Sequence, residues 1–599
     1  MPPTDTSDPR YFHKVVDCQW ACPAHTPVPE YIRLIARGDY ARAFMLNWES
    51  NVFPGILGRT CDRPCEPACR RGRIEEKPVA ICRLKRVAAD YKGDIDGLMP
   101  SPGGGNGRRV ALIGAGPASL AVARDLVLAG YDCTILEKDR IPGGLMRTNI
   151  PSFRLPAGVL DEECERIIAL GVEMRYGEEV TSLKALLDGG GFDAVFVGTG
   201  APRGKDLAIP GRREAAANIH IGIDWLTSVA FQHVESVGRR VVVIGGGNTA
   251  MDCCRTALRL GGRTVTVTVR SPRPDMKASP WEIEDAEREG VPILDNHNPV
   301  EFLLHEGRLS GVRFARMRAD YEGGRRRLVP TGEEVVLECD DVLMAIGQEN
   351  AFPWIERDAG IAFGEWDMPV VDEVTFQSSR PGVFFGGDAA WGPKNIIWAV
   401  AHAHQAAISI DLHCSGKDLV KDRPPPLTSL VSRKMGIHEW SYDNDYAPQR
   451  RVPVPHTAVE VALKDLRTEV ELGYDDRLAL QEAHRCLNCD IQTVFTGPRC
   501  IECDACVDVC PVDCITFTAN GPEADLRARL RVPAVTPGQD LYVSGLLPTG
   551  RVMAKDEDVC LHCGLCAERC PTGAWDMQRY FYVEPQVSER CLAHHAAYL

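Results

Sequence analysis

The sequence predicts a multidomain chain in which two doubly wound α/β domains are flanked by cysteine-bearing domains, α-helical at the N terminus and α+β at the C terminus. Three observations carry this reading. Two strand-turn-helix glycine motifs, at 110–119 and 240–250, lie in a stretch that alternates short apolar runs with helical patterns. Two Cys-x2-Cys-x2-Cys-x3-Cys-Pro runs repeat near the C terminus. Six further cysteines precede the linker Ser101-Pro-Gly-Gly-Gly-Asn-Gly107, whose composition marks a boundary.

Length and composition bound the classes. At about 150 residues per domain, 599 residues make roughly four domains. With 44 % hydrophobic and 25 % charged residues the chain fills several cores and is neither disordered nor collagen-like. Its formal charge of -15 argues against a nucleic-acid binder, which needs clustered cations. No apolar run reaches the roughly 20 residues that cross a bilayer. The longest, near 110–130 and 382–414, carry Arg124 and Asp125, or Asp388 and Lys394. The opening MPPTDTSDPR lacks the pattern of a secretory signal, so the expected location is cytoplasmic. There thiols stay reduced, and metal clusters account for 24 cysteines better than disulfides do.

The expected domains run in order. Residues 1–100 form an α-helical Fe-S domain. Residues 108–236 and 345–415 form a Rossmann-like FAD-binding domain, interrupted by a second Rossmann-like domain for NAD(P) at 237–344. Residues 416–482 show no clear periodicity and read as a connector. Residues 483–599 hold a Cys-x2-Cys segment and a ferredoxin-like domain.

The first glycine motif is Val110-Ala-Leu-Ile-Gly114-Ala115-Gly116-Pro117-Ala-Ser119, a buried strand turning into the apolar helix 120–128. Its glycines let backbone amides approach a pyrophosphate at a helix N terminus. Glu137, 21 positions after Gly116, is placed to accept from a ribose hydroxyl. A lone Gly-x-Gly also occurs as a plain turn in an α/β core, but more agrees here. Gly143-Gly144-Leu145, the run Ile150-Pro-Ser-Phe-Arg154-Leu-Pro156, and Gly386-Gly387-Asp388 suit the flavin and ribityl end of FAD.

The second motif, Arg240-Val-Val-Val-Ile-Gly245-Gly-Gly247-Asn248-Thr249-Ala250, repeats that logic. The following strand ends in Arg270 where an NAD site places an acid, and Lys277 comes soon after, so NADP(H) is favoured over NAD(H). The plainer alternative is that Arg270, Arg273 and Lys277 form a solvated face. Met344-Ala345-Ile-Gly347 reads as the strand end that closes the nicotinamide site. Cys253 and Cys254 read as core residues.

Cys500, Cys503, Cys506 and Cys510 before Pro511, and Cys560, Cys563, Cys566 and Cys570 before Pro571, are a duplicated bacterial ferredoxin signature. In that arrangement the fourth cysteine of each run ligates the other cluster. One [4Fe-4S] centre therefore takes Cys500, Cys503, Cys506 and Cys570, and the other Cys560, Cys563, Cys566 and Cys510. A zinc ribbon would leave each third cysteine and each Cys-Pro unexplained. The 49 residues between Cys510 and Cys560 imply an insertion, with a hairpin around 541–553. Cys514 is expected in the small core rather than on iron.

Residues 10 to about 415 resemble the small subunit of glutamate synthase and the electron-input half of dihydropyrimidine dehydrogenase. The helical cysteine region, the FAD fingerprint, Gly-Gly-Leu with Ile-Pro-x-Phe-Arg-Leu-Pro, the second Gly-x-Gly and the Gly-Gly-Asp carry the likeness in order. That family opens with Cys-x2-Cys-x4-Cys-x3-Cys-Pro, of which this chain keeps only Cys18-x3-Cys22-Pro23. The resemblance implies that the missing pair is Cys486-Leu-Asn-Cys489, far along the chain. One cluster would then take Cys18, Cys69, Cys486 and Cys489, and another Cys22, Cys61, Cys65 and Cys82. The family places Glu or Gln one turn after position 82, where this chain has Lys85, which points to Cys82 as the substitute ligand. Alternatively, Cys486 and Cys489 stay unligated or pair with Cys591.

Together these parts imply FAD, NADP(H) and four [4Fe-4S] clusters in an oxidoreductase. A hydride carrier and one-electron clusters need a flavin between them to split the pair. No nucleophilic Ser, His or Cys constellation is present, and His402 and His404 read as packing or FAD-contacting residues. The implied partner is a ferredoxin or a larger redox enzyme, such as a 2-oxoacid oxidoreductase or a glutamate-synthase-like complex, in a hetero-oligomer without membrane insertion. The rivals are a wiring subunit that never turns over free nicotinamide, and a bifurcating ferredoxin:NADP oxidoreductase.

Overall fold

The computed structural model describes all residues except 7, 9, 10, 12–15, 323, 324, 433–448, 534–537 and 597–599. The chain divides into two compact units, one of residues 1–100, 423–454 and 473–599, the other of 101–422 and 455–472.

The first unit begins with helices Val28–Ala36, Tyr40–Asn51, Pro54–Thr60 and Ile81–Asp90. Pro54 opens its helix at a position where a missing N–H costs nothing. Asp39 caps the helix Tyr40–Asn51 by accepting from the Arg42 amide. Tyr31, Phe44, Trp48, Phe53 and Leu84 are buried between these helices. The cysteine-rich C-terminal part holds two three-stranded sheets. In one, Ile515–Ala519 and Tyr542–Val543 flank Arg551–Lys555, which forms the hairpin expected near 541–553. In the other, Trp575–Val583 pairs antiparallel with Ile491–Phe495 on one side and Leu427–Ser432 on the other.

The strand Leu427–Ser432 corrects the reading of 416–482 as a connector. Residues 423–454 belong to the first unit and 455–472 to the second, where Val470 donates its amide to the Phe153 carbonyl. Residues 433–448 of that stretch lie outside the described residues. Six residues with only three aliphatic positions leave too little alternation for the strand to be visible alone.

The second unit is built on two five-stranded parallel sheets. The first runs Val383–Phe385, Ala194–Val197, Arg109–Ile113, Asp132–Glu137, Glu173–Tyr176. The second runs Ile219–Ile221, Asp341–Met344, Arg240–Ile244, Thr264–Thr268, Ile293–Leu294. In each the first strand after which a glycine turn follows is central and buried, as a doubly wound sheet requires. A three-stranded antiparallel sheet, 297–338, is appended to the second. The chain passes between the two at Arg203–Gly204 and Gln348–Glu349, which pair antiparallel. The expected boundary at 236/237 is thereby corrected. Ile219–Ile221 pairs with Asp341–Met344 and so belongs to the second domain, a three-residue strand being too short to show its period.

Candidate functional site

Sixteen thiols gather into four groups, all in the first unit. Cys500, Cys503, Cys506 and Cys570 line one cavity. Cys510, Cys560, Cys563 and Cys566 line a second. The fourth cysteine of each run thus crosses to the other group, because the short helices Ala505–Asp508 and Leu565–Arg569 carry the two runs side by side. Cys514 also lines the second cavity, its Sγ 3.5 Å from that of Cys510. It is buried, as expected of a core residue, and borders the second cavity.

Cys18, Cys69, Cys486 and Cys489 line a third cavity together with Arg70 and Arg71. Burial first, then the charges of Cys69, Cys489 and Cys486, hold the Cys18 thiol well above its ordinary range. Two pairs of thiols more than 400 positions apart converge because helix Asp476–Ala483, capped by Asp475, packs against Val28–Ala36 and Ile81–Asp90. Glu482 and Arg485 fix the turn into Cys486. Glu482 accepts from the amides of Ala80 and Val452, and Arg485 donates to the carbonyls of Lys77 and Pro78. Cys591 does not line this cavity.

Cys22, Cys61, Cys65 and Cys82 form the fourth group. Cys82 lies within hydrogen-bonding reach of both Cys61 and Cys65, and Cys22 adds to the field at Cys65. Lys85, one turn after Cys82 and buried, donates to Asn51 Oδ1 at 2.8 Å. The thiols of Cys82, Cys61, Cys22 and Cys65 raise its pKa against the effect of burial. None of the 24 cysteines is in a disulfide. Quartets of soft, deprotonatable sulfur, with Lys85 beside one and Arg70 beside another, fit [4Fe-4S] centres.

The second unit carries the two nucleotide sites. Gly114, Ala115 and Gly116 turn from strand to helix, with Pro117 at its first position. Ala115 donates its amide to Glu137 Oε2 at 2.6 Å, and Asp139 donates to Oε1 at 2.9 Å. Burial raises the Glu137 pKa, but lone pairs remain on both oxygens for a ribose hydroxyl. The second glycine turn is tied to the first, the Gly143 amide donating to the Ala115 carbonyl at 2.9 Å. Gly144 has φ +51°, and a Cβ there would sit 3.0 Å from Gly116 Cα. A side chain at Gly144 would strain the backbone and crowd this cradle. Leu145 starts the helix that follows.

Gly387 starts the helix bearing Asp388, whose Oδ1 accepts from the Lys394 amide at 2.9 Å. Burial pushes Asp388 up to about 6. His402 has one ring nitrogen on the Gly387 backbone, while its Nδ1 is buried without a protein partner among the described residues, as is Oγ1 of Thr199 beside Gly114. Such orphaned polar atoms beside a glycine cradle fit a polar, phosphate-bearing ligand such as FAD. His404 instead holds Asp125 Oδ2 at 2.6 Å inside the helix pair, a packing role.

Arg154, expected among the cofactor-binding residues, is otherwise engaged. Its guanidinium donates to both oxygens of Asp252, at 2.7 and 2.8 Å, and to Glu282. Beside it the buried Phe153 ring lies under Arg255 and Arg259, 5.0 and 3.9 Å from its centroid. The Ile-Pro-x-Phe-Arg-Leu-Pro run therefore fastens the first α/β domain to the second.

At the second turn Gly245 has φ +148°, and a Cβ there would lie 2.1 Å from the Ala345 carbonyl oxygen. Only glycine lets the closing strand come this near. Gly247 precedes the helix that opens with Asn248 and Thr249. The loop 271–279 folds over the turn. Lys277 and Ala278 both donate amides to the Gly246 carbonyl at 2.9 Å, and Asn248 Oδ1 accepts from the Ser279 amide. Arg273 is paired with Glu287, whereas the exposed side chains of Arg270 and Lys277 have no ion-pair partner among the described residues. Gly347, at φ +119°, lies just beyond Ala345.

Sequence comparison agrees with this division. Residues 108–407, half the chain, match the pyridine nucleotide-disulphide oxidoreductase family. Residues 12–96 match dihydropyrimidine dehydrogenase domain II, 4Fe-4S cluster, and 499–574 match the 4Fe-4S dicluster domain. The NADP(+)-dependent formate dehydrogenase subunit beta of Moorella thermoacetica is 36 % identical over 503 residues, covering 79 % of this chain and 70 % of that one. The NADPH-Fe(3+) oxidoreductase subunit beta of Geobacter sulfurreducens is 33 % identical, covering 81 % and 77 %. The glutamate synthase [NADPH] small chain of Escherichia coli is 31 % identical, covering 66 % and 87 %. The chain belongs to the pyridine nucleotide-disulphide oxidoreductase family, as a glutamate-synthase-small-chain-like FAD-dependent oxidoreductase with 4Fe-4S domains on both sides of its nucleotide-binding domains.

Proposed function

We propose that this chain is the NADPH-linked electron-transfer subunit of a larger redox complex in the cytoplasm, exchanging electrons with a ferredoxin or a partner enzyme through four [4Fe-4S] centres. The observation that carries this reading is the combination, in one chain, of two glycine-turn nucleotide sites with sixteen thiols in four groups of four. Bound FAD would exchange a hydride with nicotinamide and single electrons with iron-sulfur centres, which is the conversion such a set requires. The protein's residues position and tune. Glu137 and the Gly114-Ala115-Gly116 turn hold the adenosine end of FAD, with Gly144, Leu145, Gly387 and Asp388 toward its other end. Gly245, Gly247, Asn248, Thr249, Ala345 and Gly347 hold the nicotinamide nucleotide. Arg270 and Lys277, uncommitted to carboxylates, suit its 2′-phosphate. The ligands are Cys18, Cys69, Cys486 and Cys489 for one centre, Cys22, Cys61, Cys65 and Cys82 for another, and the two crossed ferredoxin quartets.

Three relatives whose names carry NADP or NADPH, each a beta subunit or small chain, support both the cofactor and the place in a complex. The test is NADPH oxidation by the purified chain with a one-electron viologen acceptor, before and after FAD is stripped. Turnover that is lost with FAD and regained on its return is the expected result. Turnover indifferent to FAD, or none with FAD bound, would overturn the reading.

A further inference from the structure

Two of the thiol cavities in the first unit are stitched together by side chains that belong to one and bond to the other. Arg70 follows Cys69, lines the Cys18/Cys69/Cys486/Cys489 cavity and is 1 % exposed. Its guanidinium donates to the carbonyl of Cys560 at 2.6 Å and to that of Glu557, and is braced by Asp17. Cys560 lines the Cys510/Cys560/Cys563/Cys566 cavity. The reverse contact comes from His562, which sits between Cys560 and Cys563 and is fully buried. Its Nδ1 lies 3.1 Å from the carbonyl oxygen of Cys489 and donates to it. Its Nε2 faces Glu557 Oε2 at 3.3 Å, and Glu557 in turn receives Lys555 at 2.9 Å. The ring is thereby held from both sides.

We propose that Arg70 and His562 are positioning residues of an electron junction between these two cavities, and that this junction sets the order of the ferredoxin domain. The proposal rests on the ligation given under Proposed function. From Cys489 Sγ the path runs along its own backbone, across one hydrogen bond to His562, and back along two short peptide segments to Cys560 and Cys563. With [4Fe-4S] centres held in both cavities, this route would carry one electron from the first to the second, oxidising one and reducing the other with no proton or bond moved. The Cys510/Cys560/Cys563/Cys566 site is then the inner member of the ferredoxin pair. The Cys500/Cys503/Cys506/Cys570 site is the outer one, for there Cys503 is exposed and Ile501 is 63 % exposed.

The test uses the full-length, iron-replete chain and the variants His562→Leu, Arg70→Met and His562→Gln, the last keeping a donor. Freeze-quenched samples taken after mixing with NADPH are read by EPR. In His562→Leu and Arg70→Met, the signals of the helical-domain centres are expected to rise at the wild-type rate, while those of the ferredoxin pair lose their fast phase. His562→Gln should recover it. A merely structural role would lower iron content without splitting the phases. A fast phase that persists in both variants at full iron content, or no recovery in His562→Gln, would overturn the proposal. A second measurement uses neither NADPH nor the Arg70 and His562 variants. Dithionite-reduced wild type should show spin-spin interaction between a helical-domain and a ferredoxin centre, abolished in Cys486→Ser, and its absence would equally overturn the junction. If NADPH reduces nothing in wild type, the proposed function fails while the dithionite spectrum still decides the junction.

Discussion

Arg270 and Lys277 are two cations near a glycine turn that no carboxylate neutralises among the described residues, while their neighbour Arg273 is spent on Glu287. A charge-assisted contact to a 2′-phosphate contributes about 1.5–3 kcal/mol, so Arg270→Ala should raise the KM for NADPH about tenfold or more. The KM for NADH should stay put, and steady-state kinetics with both nucleotides check this. At the thiol cavity, Cys486→Ala is expected to lower the iron content by about four atoms per chain. Unchanged iron would mean that Cys486 and Cys489 are not ligands. His402 offers a pH test in the apoprotein. Burial, aided by Lys394, pushes it down to about 4 from 6.5. Its neutral form therefore stabilises the fold fully above about pH 6.5, and this is lost as pH falls through about 4. The shift amounts to about 3 kcal/mol. In His402→Gln, the curve of Tm against pH should accordingly be flatter over that window.

At the scale of elements, the run at 150–156 shows what local pattern does and does not convey. Its spacing marked it as important, but its partners Asp252 and Glu282 lie 98 and 128 positions away, beyond the reach of any periodicity. Breaking this buried ion pair by Arg154→Leu takes the guanidinium from Asp252 and leaves Glu282 with Arg255 alone, at a cost of about 3–5 kcal/mol. Calorimetry should show a lower Tm, with the Phe153 contacts to Arg255 and Arg259 intact. The ferredoxin quartets were fully legible, because ligand spacing within each run is local and the crossing of the fourth cysteine is a fixed property of the duplicated motif. The glycine turns were legible for the same reason. The strands Ile219–Ile221 and Leu427–Ser432 were not, being set by pairing with Asp341–Met344 and Trp575–Val583. Cys514 is buried as expected of a core thiol, but its approach to 3.5 Å from Cys510 Sγ is set by the fold and not by sequence spacing. Arg70 and His562, almost 500 positions apart, gave no signal at all.

Across the whole molecule, cysteines close in sequence and cysteines more than 400 positions apart end in the same chemical arrangement, thiols gathered around a cavity. The nucleotide-binding unit supplies two glycine cradles, one with a buried acid and one with free cations. Among the described residues no helix is long and apolar enough to cross a membrane. With its cofactors bound, the chain would take a hydride from NADPH onto the flavin and pass it on as single electrons to iron-sulfur centres. An anaerobic titration of the purified, iron-replete chain with NADPH, following flavin and cluster absorption separately, tests it most directly. Bleaching of both by NADPH, and far less by equal NADH, is the expected result. A chain whose flavin and clusters are reduced by dithionite but left untouched by NADPH would contradict it.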